Sequence, residues 1–370
     1  MKKIIMFVVI FIFLTPIAVM GDELTPSDVS YYDYSQIDEE IDAEFDFEET
    51  VNLFVSGKSN EALKSIGNGI IDAIFSELDS QKAVLIKILS IGIIAAVFTN
   101  LSSSFVNGNI GETGFYLTFT AMLGMLVAGY AIAANLVVKA LNQLLELMEA
   151  IVPVYILSLG FASGQTTAVG VYQIVTLVIV FVEKIIISFV IPMIYMYMIF
   201  GLMNNIVSGS FLTKACELIK SIVDWVLKAL LSVIIGLNVI QGLINPVVDK
   251  VKASALGKTA GMIPGIGNTL SSMSEILLGS GALIKNSIGM AAVVAIIIIS
   301  FVPVIKVTIM SVAYKAAGAV LEPVSDKRIV NAVSGIYDSM ALLGKTILYG
   351  VVFFILTIAI VCSTTNYNLT

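Results

Sequence analysis

The sequence predicts an all-α, polytopic integral membrane protein with about six to eight membrane helices and amphipathic connecting helices. Three observations carry this. Apolar runs at 83–101, 115–138, 226–244, 286–305 and 347–361 each approach the roughly 20 residues that cross a hydrocarbon layer of about 30 Å as a helix. The chain is 58% apolar and only 13% charged, where soluble domains carry about 25% charge. Its first residues have the pattern of an export signal, so the chain is directed to a membrane from the outset.

The signal occupies 1–21. Met1, Lys2 and Lys3 form a basic start, residues 4–14 an apolar stretch, Pro16 a break, and Val19 and Gly21 the small residues before a cleavage point. An uncleaved first membrane helix is the alternative. Either way the acidic stretch that follows is expected outside the cytoplasm. Residues 22–82 form this exported segment. Its acids cluster at Asp38, Glu39, Glu40, Asp42, Glu44, Asp46, Glu48 and Glu49, and 22–50 has no apolar periodicity, which predicts a solvated chain. Leu63, Ile66, Ile70, Ile74 and Leu78 then recur at helical spacing and predict an amphipathic helix.

Residues 83–203 hold the N-terminal membrane helices. Two stretches within them are ambiguous. Residues 144–162 contain Glu146, Glu149 and Pro153, and could span or enter and return. Residues 169–203 would be roughly 50 Å long as one helix, with Glu183 and Lys184 mid-run and Pro192 after them. Two short crossings or one broken helix both fit. Two crossings place the Lys-bearing stretches 214–228 and 306–345 in the cytoplasm; one crossing places 250–285 there. The positive-inside rule prefers the first.

Residues 204–225 read as an amphipathic interfacial connector. Phe211, Ala215, Leu218, Ile222 and Val226 share one face, opposite Lys214, Glu217, Lys220, Asp224 and Lys228, and Trp225 suits a headgroup anchor. A membrane helix is expected at 226–245 and a Gly-rich connector at 246–285. Within the connector, Gly257, Gly261 and Gly265 recur every fourth residue, a spacing that lets two helix backbones approach closely. Pro264 and the following glycines favour a break there. Residues 286–362 complete the chain with C-terminal membrane helices and an amphipathic connector.

Several chemistries are excluded. There is no His, which removes Ser–His and Cys–His catalysis, imidazole-ligated zinc and histidine relays. Cys216 and Cys362 lie far apart without metal-ligand spacing and read as small apolar packers. Gly257–Lys258–Thr259 and Gly344–Lys345–Thr346 end like phosphate-binding loops. The earlier Gly that such a loop requires is Lys252 in one case and Ser339 in the other. The stretch Gly265–Ile266–Gly267–Asn268, with Tyr337–Asp338, imitates an intramembrane aspartyl protease. That chemistry needs two carboxylates sharing a proton, and Asn268 cannot ionise. No catalytic residue, cofactor, metal site or nucleic-acid surface is therefore expected, and the chain reads as non-enzymatic.

What remains are ionisable residues within or beside apolar runs: Lys87, Lys139, Glu146, Glu149, Glu183 and Lys184. Charge inside a membrane is costly and points to function by default, whereas Lys87 and Lys139 can snorkel from helix ends. Glu146, Glu149 and Glu183 are the candidates for a polar path.

One stretch resembles a known family. Asn245–Pro246–Val247, then Lys258, Gly261, Pro264 and Gly267, then the continuous run from Ser280 through Gly281, Asn286 and Gly289, resembles stage III sporulation protein AE. The order of parts is similar too: export signal, short exported segment, many membrane helices, Gly-rich connector before the penultimate helix. The resemblance implies a protein of the mother-cell membrane around the engulfed forespore. Its implied partners are other membrane proteins and ring-forming proteins of a secretion-like assembly, a separate ATPase and, indirectly, a forespore membrane protein. That assembly is thought to form a channel or feeding apparatus. The rival expectation is a self-contained secondary transporter, with broken helices meeting at Pro153 and Asn204–Asn205.

Overall fold

A computed structural model describes residues 47–56, several positions between 82 and 97, and residues 109–163, 165–206, 211–260 and 267–364. The signal, most of the acidic cluster and the amphipathic helix expected near 63–78 lie outside the described residues. Helices are α1 (Phe47–Val55), α2 (Asn109–Ser163), α3 (Gln165–Ile185), α4 (Ile191–Ile206), α5 (Thr213–Ala260), α6 (Gly267–Leu321) and α7 (Lys327–Thr364). No strand occurs among them. The fold is an all-α membrane protein, as the sequence predicts.

The helices are longer than the apolar runs suggest. A 55-residue α2 joins 115–138 to the ambiguous 144–162 in one rod of about 80 Å, with Pro153 inside it. This merging corrects the expected helix number. Among the described residues four helical stretches are long and apolar enough to cross a membrane, not six to eight: Thr113–Tyr155, Thr176–Asn204, Asn286–Leu321 and Lys327–Ala359. The ambiguous 169–203 is one rod with a defect. Between α3 and α4, Ile186–Val190 form a π turn, and the Ile191 N–H donates to the Ile186 carbonyl. Pro192 follows at once. A proline lacks the N–H for a regular turn, and its ring would strike the carbonyl four residues back. The widened turn just before it accommodates both losses.

Another long helix, α5, runs through the boundaries expected at 225 and 245. Its buried stripe is Ile219, Val223, Leu227, Leu230 and Ile234. The face predicted from Phe211 and Leu218 is instead outward, with Phe211 and Leu218 exposed. The period was legible, but the face lies one residue round the helix. At the other end of the chain, α1 begins at Phe47, so residues 47–50 are helical where the sequence predicts no periodic structure; Glu48 and Glu49 are exposed and Thr50 is buried.

Contacts fix the helix directions. Phe115 meets Arg328 and Leu141 meets Gly350, so α2 and α7 are parallel. Gly129 meets Tyr314, while Gly318 meets Ser334 and Gly344 meets Val307, so α6 is antiparallel to both. The Tyr314 hydroxyl fills the space that a Cβ at Gly129 would occupy, which is why that position is glycine. The rings of Tyr130 and Tyr195 pack edge to face at 5.2 Å, and Glu149 stands near Glu183, so the α3–α4 rod runs antiparallel to α2. The chain then reverses into α5. There Asn204 Nδ2 donates to Thr213 Oγ1 (2.9 Å) and the Leu212 N–H donates to Asn204 Oδ1 (3.0 Å). Asn204 is a turn clamp.

The interior has two cores stacked along the bundle. The larger joins α2 to α7 around Leu126, Tyr130, Val190, Val223, Tyr314 and Phe353. The smaller holds α1 through Val51 against Leu144, Ile151, Ile288 and Ile358. Mostly aliphatic and aromatic residues fill both, so within a membrane they act by close packing and not by escape from water.

Candidate functional site

Of the sequence-predicted polar-path residues, the structure brings two together. Glu149 on α2 and Glu183 on α3 stand within electrostatic reach of each other. Glu146 lies three residues before Glu149 on α2, so the two share one side of the helix. Glu146 and Glu149 are exposed on the bundle surface and Glu183 is half-buried. The antiparallel α2–α3 pairing creates the meeting, which neither local sequence contains. Among the described residues no group of acids, Cys and His has metal-binding geometry. The three Glu side chains can instead present an acidic, hydratable strip on a mostly apolar pair of helices, with Lys184 beside Glu183.

The glycine row lies largely outside the described residues. Gly261 and Gly265 fall in 261–266, and Gly257 belongs to α5, where its surroundings are not described.

Sequence reasoning missed a second polar pair. Lys345 Nζ on α7 reaches Asp224 Oδ1 on α5 at 2.5 Å, with the side chains 23% and 30% exposed. Lys345 also lies 5.9 Å from the centre of the Tyr349 ring. In the sequence Lys345 stands in a false phosphate loop and closes the Lys-bearing stretch 306–345, and Asp224 is part of a polar face; neither points to the other. The available signal was positional: each stands just before an apolar run, at 347–361 and 226–244 respectively.

A third polar cluster closes the α6–α7 corner. Asp326 caps α7. Its Oδ1 accepts from the Arg328 N–H at 2.8 Å, and its carbonyl accepts from Ile329 at 3.0 Å. The Arg328 guanidinium donates to both carboxylate oxygens at 3.2 Å and lies 3.9 Å from the centre of the Phe115 ring. Burial is the largest single influence on the Asp326 carboxyl and works against its charge. The hydrogen bonds and charge of Arg328 together outweigh it and hold the carboxyl below its usual range. Cys216 is a free, half-buried thiol whose pKa burial pushes up.

A groove of about 380 Å³ opens between α2 and α4, lined by Leu123, Val127, Tyr130, Met198, Ile199 and Met203 among others. Its lining is hydrocarbon and thioether, so it can hold an apolar chain and offers nothing for acid–base chemistry.

The family model described as stage III sporulation protein AE matches residues 45–365. The stage III sporulation protein AE of Bacillus subtilis (strain 168) is 18% identical over 317 residues, covering 85% of this chain and 79% of that protein. No solved structure matches. With a family match running from before α1 to the end of α7, the chain belongs to the stage III sporulation protein AE family.

Proposed function

We propose that this protein is a non-enzymatic membrane subunit of the channel or export-gate apparatus that links the mother cell to the forespore during endospore formation. The family match across residues 45–365 carries this reading, because it joins a sporulation role to a chain with four candidate membrane helices. The subunit works architecturally. Its long helices pack against partner membrane proteins and ring-forming proteins in the mother-cell membrane around the forespore. A separate ATPase supplies energy, and contact with the forespore membrane protein is indirect. Glu146, Glu149 and Glu183 form a polar path beside which partner subunits complete a passage, since irregular or charged groups are tolerated in a bilayer where they line water.

The test is a comparison of single Glu→Gln variants and the triple variant for membrane insertion and heat-resistant spore counts. The proposal expects normal insertion with reduced spore counts, most in the triple variant. Wild-type spore counts in the triple variant would remove these residues from the passage. Solute uptake by the isolated protein in liposomes would favour a self-contained transporter.

A further inference from the structure

We infer that Asp224, Lys306 and Lys345, with Lys139 close by, mark one plane at which the protein meets lipid headgroups, and that the hydrocarbon layer lies on the α1 side of this plane. The inference rests on the membrane reading alone and not on the channel role.

Three helices change character at the same level. On α5 the charged stretch runs to Asp224 with Lys228 one turn beyond it, a length that a lysine stem can span to reach the same level, and 229–244 then contains no charged residue. On α7 it ends at Lys345, and 347–361 contains no charged residue. On α6, 286–305 contains none and Lys306 ends the run from the other direction. These switch points are scattered in sequence, yet the fold aligns them. Lys345 bonds Asp224, and a Cβ at the neighbouring Gly344 would lie 3.6 Å from Val307. Since Leu141 packs on Gly350, Lys139 on α2 falls close to the same level. The plane also carries the chain's single tryptophan. Trp225 is 70% exposed beside the Asp224–Lys345 pair, as an aromatic belt residue would be.

The apolar stretches beyond the plane are close to a common length, matching a layer of roughly 30 Å. On the opposite side of the plane, α5 to α7 carry Lys214, Glu217, Lys220, Lys315, Arg328 and Asp338 within a similar distance. That side is the more costly one to bury in lipid. It does expose apolar residues of α2 and α4, such as Leu117, Ile132 and Ile199, and it is therefore the rival position for the layer. With the layer on the α1 side, Glu149 lies eight residues past Leu141, and Gly350 five past Lys345. The Glu149–Glu183 pair then stands about 20 Å beyond the plane, inside the layer. All carboxylate and ammonium groups of the layer except Lys228 lie on α1, α2 and α3 among the described side chains.

Two measurements in phosphatidylglycerol–phosphatidylethanolamine vesicles test the inference. The intact protein, whose sole tryptophan Trp225 is excited selectively at the red edge, is reconstituted with lipids brominated near the headgroup or near the chain end. The shallow label should quench more strongly. Stronger quenching by the deep label, or none by either, would overturn the plane. In a Cys216→Ser, Cys362→Ser background, Ser221→Cys and Ser232→Cys place thiols on exposed positions of α5, on either side of the plane and about 16 Å apart. N-ethylmaleimide, which reaches water on both sides, should modify the variant at 221 and spare that at 232. The reverse pattern would put the layer on the other side, and equal labelling would mean that no boundary crosses α5 here.

Discussion

The 2.5 Å contact between Lys345 and Asp224 ties together two helices through residues 121 positions apart in the sequence. Both side chains are largely removed from water, so neither charge is well solvated if its partner is lost. Lys345→Met alone or Asp224→Asn alone should lower stability in detergent by about 1–3 kcal/mol. The swap Asp224→Lys with Lys345→Asp should recover part of that. Thermal unfolding checks it, and a Lys345→Met, Asp224→Asn double variant that loses the simple sum of the two single losses would mean that the pair contributes no coupling.

Asp326 should make stability fall in acid. Its folded-state carboxyl pKa is lowered, with Arg328 outweighing burial. A depressed carboxyl contributes stability above its unfolded pKa of about 3.9 and loses it as pH falls through the lower folded value. Asp326→Asn keeps a capping oxygen but not the charge, so it should flatten this acid limb. Asp326→Ala removes the cap as well and should cost about 1 kcal/mol at neutral pH. Melting curves between neutral and acidic pH separate the two variants.

Tyr130 is fully buried, and its hydroxyl has no hydrogen-bond partner among the described residues. An unsatisfied buried hydroxyl costs about 1–3 kcal/mol. Tyr130→Phe keeps the ring against Tyr195 and should leave stability unchanged or raise it. A clear drop in melting temperature would show that the hydroxyl has a partner in the assembled protein.

Much of the fold was legible because membrane helices announce themselves by apolar length, and α5 by its helical period. Helix number was not legible. Separate apolar runs at 115–138 and 144–162 look like two crossings, yet Lys139 and Asn142 between them are good enough helix residues for α2 to continue. Glu149 and Glu183 were recognised individually from their cost in a membrane. Their meeting depends on the α2–α3 reversal, which no local pattern encodes. Lys345 and Asp224 escaped notice because each looks like an ordinary helix-end charge, and only the parallel course of α5 and α7 sets them side by side.

Membership of a multiprotein sporulation apparatus is tested by affinity purification of the tagged full chain from sporulating cells. Other stage III membrane and ring-forming proteins should co-purify, together with an ATPase. Recovery of this protein alone from membranes solubilised under conditions that preserve such assemblies would contradict it.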